Sequence, residues 1–387
     1  MATLVLQFAG AALGGAIGGP IGAIAGRAIG ALVGASIDGA IVNGGGRSVE
    51  GPRLTEMSGL AATEGAPIPR VYGRARIGGE LIWATRFEEV VNVVRQRGGA
   101  FGGKGGLFGG GGSTETTYSY FANIAVGLCE GPIAFVRRVW ADGRELDLTT
   151  LAMRVHRGDD VQAPDPLIVA KEGAENAPAY RGLAYVVFER LPLADFGNRI
   201  PQLSFEVTRP VASLNADIRG VNLIPGAGEF AYATTAVFRN AGDGVSRPEN
   251  VNQLTHGCDL RASLDQLQAL CPNLASVTLI VTWFGDDLRA GHCALRPKVE
   301  IADKITTPLA WRVGGLDRSG AAVVSVVAGR PAFGGTPSDD SVVAAVAEIR
   351  SLGWKVNLHP FIMMDIAADN ALITAWTGAA PLPSYPW

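Results

Sequence analysis

Between Ser276 and Ile362 the apolar pattern changes its period twice, and this constrains the fold more than any other stretch of the chain. Residues 276–284 are an apolar run (Val277, Leu279, Ile280, Val281, Trp283) of the length of a buried strand, closed by Gly285-Asp286-Asp287. Thr336-Pro337-Ser338-Asp339 then has the form of a helix start, with Thr336 as cap and proline in the first turn. Val342, Val343, Val346, Ile349 and Leu352 follow on one predicted face, Gly353 ends the helix, and residues 355–362 read as the next strand. Strand, helix, strand in that order predicts a parallel sheet built from βα units after Pro210.

The other end of the chain obeys a different rule. Gly10, Gly14, Gly18, Gly22, Gly26, Gly30 and Gly34 recur every four residues, and no charge appears before Arg27. Residues four apart share one face of a helix, so the glycines form a smooth stripe that lets a second helix approach closely. Each glycine weakens a helix by up to about 1 kcal/mol relative to alanine, so the stripe requires a packing partner. Three readings fit: a helix resident in a membrane, a segment shielded in an assembly that enters a membrane later, and a buried hairpin, which ranks behind close helix packing. Pro20 would kink or divide the helix, which favours a compact plug.

Between these ends the chain is β-rich. Residues 70–73 and 79–83, the alternating stretch from Thr116 to Val139, and the segments 185–188 and 203–207 read as strands. A glycine tract at 98–112 reads as a flexible loop. The expected organisation is a helical plug or membrane-active segment at 1–46, one or two β-rich domains at 47–210, and an incomplete βα-repeat domain at 211–387. Lys and Arg number 33 against 36 Asp and Glu, a net charge of −3, so no basic excess marks a grip on nucleic-acid phosphates. Four cysteines in 387 residues are too few for a disulfide scaffold and fit assembly in a reducing cytoplasm. No cleavable signal peptide is expected, because no basic region follows Met1 and the apolar stretch outruns a signal core.

Motifs that carry chemistry are few. Gly98, Gly103 and Lys104 approach a phosphate-binding loop, but Gly105 stands where the magnesium-binding hydroxyl belongs and no helix pattern follows. His256 with Cys258, and His292 with Cys293, invite a zinc reading; the missing Cys-x-x-Cys pair argues for ordinary buried thiols, so neither metal nor cofactor is expected. Asp286, Asp287 and Asp365 fall at predicted strand ends, where barrel glycosidases place their acid and base, and each equally fits a loop cap. No Ser-His-Asp or Cys-His set stands out among four histidines.

Residues 66–73 (APIPRVYG), 128–133 (LCEGPI), 140–143 (WADG) and 195–201 (DFGNRIP) resemble the hub region of siphophage tail-tip proteins, and most nearly the large baseplate hub protein family of gene transfer agents, known as megatron. Residues 221–226, 283–289, 333–339 and 359–366 resemble the glycosidase-like TIM-barrel domain of the same family, except that Ala290 stands where the family usually has a cysteine. About 170 residues follow Pro210, short of the roughly 250 of a closed TIM barrel, so the resemblance implies the first part of a longer protein. It further implies a trimeric virion structural protein at the tail tip, assembled in the bacterial cytoplasm, that caps the tail tube and gates DNA ejection. Implied partners are further copies of itself, distal tail, hub and tube proteins, the tape measure protein, and the host membrane and cell-wall glycan, with DNA passing unbound. The rival reading is a peptidoglycan or glycan hydrolase acting through the barrel.

Overall fold

The computed structural model describes residues 48–50, 65, 67–96, 113–211, 214–225, 228–374 and 376–382; the glycine stripe at 10–34 and the tract at 98–112 lie outside them. The described backbone is mostly β-sheet with few helices. Contacts divide the chain into two units, the first made of residues 1–58, 86–121 and 192–200 and the second of 59–85, 122–191 and 201–387. In the first unit, Glu88–Gln96 pairs antiparallel with residues 113–121, from Glu88 opposite Phe121 to Gln96 opposite Ser113. Ser48–Glu50 runs parallel to the same strand, and the Tyr120 hydroxyl donates to Glu89 at 2.9 Å.

The second unit begins with two sheets packed face to face. Residues 122–129 are buried throughout, which explains why this stretch loses its polar alternation, and they pair with Glu80–Ala84. Leu183–Pro192 and Ala152–His156 extend that sheet. The second sheet runs in the order Gly73–Gly78, Leu203–Arg209, Phe135–Ala141, Arg144–Glu145, all antiparallel. Phe188 and Phe205 meet between the sheets with ring centroids 6.5 Å apart. The segments read as strands at 185–188 and 203–207 are thus strands, but residues 70–72 are not: the ladder starts at Gly73. Gly79 makes the turn into the next strand, where an added Cβ would lie 2.3 Å from Val126.

The same unit continues into a βα run: β1 (Gly220–Leu223), α1 (Asp259–Leu270), β2 (Ser276–Gly285), α2 (Asp339–Ser351) and β3 (Lys355–Met364). β2 lies between β1 and β3 and is parallel to both, from Ser276 opposite Lys355 to Gly285 opposite Met364. Val277 and Leu279 bury one face of β2 against Leu260, Leu264, Ala345 and Ile349 of the two helices. Because β1 is short, the backbone ladder stops at Leu223; the Tyr232 hydroxyl lies 3.0 Å from the Leu223 carbonyl and 2.8 Å from that of Ile280, bridging the two strands. β1 and β3 each have β2 as their single strand neighbour, and Leu295–Arg296 pairs antiparallel with the end of β2, so the described residues form an open sheet with three parallel strands and not a closed barrel.

Two sequence expectations change here. The cap of α2 is Ser338, whose hydroxyl accepts from the Ser341 amide, and not Thr336. Thr336 is fully buried and spends its hydroxyl on the Lys298 amide at 3.2 Å, while its carbonyl accepts from the Trp311 indole at 2.8 Å. Val343 is exposed, because the buried stripe of α2 runs through Ser341, Ala345 and Ile349. Residues 286–338, between β2 and α2, add short ladders, and Val299, Trp311 and Val313 from them form a separate core with Phe230 and Val237. No helix among the described residues is long and apolar enough to cross a membrane.

Candidate functional site

Parallel neighbouring strands end on the same side of a sheet, and here that brings all three strand-end carboxylates together. Asp286, Asp287 and Asp365 line one cleft of about 570 Å³ with His292, Lys298 and Ser325. Gly285, opposite Met364, closes β2 where no side chain fits: a Cβ there would sit 2.7 Å from the Cys293 sulfur. The three carboxylates differ in their partners. Asp287 is 3% exposed and forked by Arg289, with contacts of 3.0 Å from Nε and 2.6 Å from Nη2. The Arg289 hydrogen bonds bring its pKa down to about 2, so it stays ionised. Asp365 is fully enclosed, held by the Lys298 ammonium at 2.8 Å and the Ser325 amide at 3.0 Å. Asp286 accepts from the Ala294 amide through Oδ1 at 2.8 Å, and its other oxygen has no hydrogen-bond partner among the described residues.

A two-carboxylate glycosidase needs one carboxyl that retains a proton and one that stays ionised, set across the scissile bond. Asp287 is locked as an anion by Arg289, and Asp365 is committed to an ion pair. What remains is a polar cleft with one available carboxylate oxygen, an imidazole and an ammonium at its wall, an arrangement suited to hydrogen-bonding a polyhydroxylated ligand.

The sequence-level metal pairs come apart in the structure. His256 Nε2 lies 2.6 Å from the Asp265 carboxylate and Nδ1 2.9 Å from the Thr255 hydroxyl, while Cys258 is buried as the cap residue of α1. His292 lines the cleft, Cys293 is not among the residues that line it, and all four cysteines are free thiols.

Two charged clusters had no signal in the sequence. Glu229, Glu249 and Glu300 bring carboxylate oxygens within 4.8 Å of one another, a spacing that could hold a cation. The cation in place is the protein's own: Lys304, 2% exposed, lies 2.5 Å from Glu300, 2.8 Å from Glu249 and 3.4 Å from Glu229. Burial by itself lowers the Lys304 pKa, but the charge of Glu229 and the hydrogen bonds of Glu249 and Glu300 outweigh it and raise the value above that of an ordinary lysine. Arg318 completes the cluster by forking Glu229 at 2.9 and 2.6 Å. In the sandwich, buried Asp165 accepts from Arg154 at 2.7 and 2.9 Å, meets His156 Nε2 at 2.8 Å, and caps the helix Pro166–Glu172. Burial pushes the Asp165 pKa up, and these donors more than reverse it, to about 2.

No family model matches the chain, and no curated protein matches it. Among solved structures, a chain described as "Virion of native gene transfer agent (GTA) particle" is 41% identical, over 52% of this chain and 44% of that one, with a TM-score of 0.33. The chain therefore spans less than half the length of that neighbour, and a superposition at this TM-score carries no argument about fold. In sequence, the chain is similar to a component of a gene transfer agent virion.

Proposed function

We propose that the chain is a structural component of the baseplate hub at the tip of a phage-like tail. The observation that carries this reading is where the tail-hub motifs fall in the fold. Asp142 and Gly143 of the 140–143 segment form the turn between Phe135–Ala141 and Arg144–Glu145, with φ of +49° and +83°. The Asp142 carboxylate accepts from the Gln202 amide at 2.9 Å, which holds the turn against the start of the strand Leu203–Arg209. In that segment Gly197 and Asn198 also take positive φ, +66° and +58°. Residues of this kind specify turns and scaffold geometry, not chemistry. The 41% identity to a gene transfer agent virion component supports the same assignment at the level of sequence, and the superposition is not used.

In this reading the β-rich region forms a ring of copies, most simply three, around the tail axis. The glycine-striped helices gather at the axis and close the channel until DNA release. The βα domain is glycosidase-like, and its cleft binds envelope glycan. The rival reading, a wall hydrolase, is favoured by the cleft and opposed by the ion pairs of Asp287 and Asp365. Deleting the gene in a producing cell separates them. Particles that lack a tail tip or leak DNA support the hub; intact tails that retain DNA and merely fail to open cell walls refute it.

A further inference from the structure

We propose that the seam between the strand Phe135–Ala141 and α1 binds an acidic, extended peptide segment of a partner protein. A cleft of about 350 Å³ opens there, with Arg137 and Arg157 on one wall and Gln266 and Gln268 of α1 on the other. It runs into a second cleft of about 270 Å³ that shares Arg137, Thr255 and Gln266. The seam is braced by a backbone hydrogen bond from the Leu148 amide to the Leu254 carbonyl, 2.7 Å long.

The charges in the first cleft are unbalanced. Arg157 is exposed, and its guanidinium has no ion pair or hydrogen bond among the described residues. Arg137 and Arg74 share one carboxylate oxygen, Glu206 Oε1, at 3.5 and 3.2 Å. The acidic group on the facing wall, Asp265, is engaged by His256 at 2.6 Å. The cleft thus offers guanidinium groups suited to forked recognition of carboxylates. Beside them, the Gln266 and Gln268 amides carry no hydrogen bond among the described residues and are free to pair with a peptide backbone. Phe135, Val136 and Ala269 supply an apolar floor for a neighbouring side chain.

The ligand class follows from these features. The clefts are continuous, which suits an extended chain better than a compact molecule. α1 presents its side and its C-terminal half to the first cleft, so a bare phosphate would find no helix N-terminus to meet it. A nucleic acid would need phosphate contacts along a basic track and bases stacked on aromatic rings, whereas the second cleft is balanced by Glu145 and Asp259.

The test is fluorescence anisotropy of the full chain with a labelled peptide of repeating Glu-Val-Asp-Pro, whose prolines keep it extended. The expected result is saturable binding that weakens at least about tenfold in the double variant Arg137→Gln, Arg157→Gln and again in Gln266→Glu. High salt should weaken it, and millimolar inorganic phosphate should not displace the peptide. Thermal melts of each variant are recorded alongside, and Arg312→Gln, on the separate ladder with Asp317, should bind as the parent does. Absence of binding by the parent, equal binding by the folded double variant, or displacement by phosphate or by a single-stranded oligonucleotide overturns the proposal.

Discussion

Replacing Lys304 by methionine removes the cation from the centre of three glutamates while keeping the length of the side chain. The lysine is 2% exposed and Glu229 is fully enclosed, so solvent can do little to replace the lost charge. Glu229 keeps Arg318, and Glu249 keeps Arg239 at 3.4 Å, but Glu300 loses its ion-pair partner. Breaking one partner out of a buried pair costs about 3–5 kcal/mol. For a unit of this size that corresponds to a fall in melting temperature on the order of 10 °C. The pH dependence has a definite sign. In the parent, the raised Lys304 pKa means its contribution is complete at neutral pH and is lost only as the solution becomes alkaline enough to pass the folded value. In the variant, the carboxylates of Glu229, Glu249 and Glu300 stay crowded with one cation fewer. Their oxygens, within 4.8 Å of one another, should also accept calcium, so millimolar calcium should restore part of the melting temperature in the variant and not in the parent. Differential scanning calorimetry at two pH values, with and without calcium, reads all of this. A variant that melts within 1 °C of the parent (against a shift on the order of 10 °C) at pH 8 would refute the reasoning.

Three further outcomes are expected. Asp165→Asn should destabilise the sandwich by about 2 kcal/mol at neutral pH; because the Asp165 pKa is depressed to about 2, this contribution is present above the ordinary carboxylate value and lost as pH falls towards 2, so the acid-unfolding curves of parent and variant should converge there. The chain should release no soluble sugar from purified cell-wall sacculi; release that is abolished by Asp286→Asn would overturn the assignment of the cleft to binding. In particles, leucine at Gly22 and Gly26 should force the striped helices apart and give tails that leak DNA, whereas leucine at Gly44 and Gly45 should be milder; negative-stain microscopy and nuclease protection measure both.

The period of the sequence by itself determined the βα run and the side of the sheet on which its carboxylates lie. The strand β2, the helix α2 ended by Gly353, and the strand β3 stand where their apolar spacing put them, give or take two residues. Parallel pairing then follows, and with it the meeting of Asp286, Asp287 and Asp365 in one cleft. Apolar runs also marked the strands at 185–188 and 203–207, because a strand covered on both faces is apolar at nearly every position, as at Tyr185, Val186, Val187 and Phe188.

Only the tertiary structure decided what those carboxylates can do. Asp287 meets Arg289 only two residues along the chain, but Asp365 is neutralised by Lys298, 67 residues away. The Glu229–Arg318 pair spans 89 residues, and its members carry no pattern that sets them apart from solvated charges. The cap of α2 was decided in the same way, since Thr336 has the right side chain for a cap but is taken by Lys298 and Trp311 across the fold. Secondary structure is written in the nearest few residues, because backbone geometry and burial repeat along the chain. Charge state and hydrogen-bond partnership depend on which distant groups the fold brings within about 3 Å, and no local period encodes that.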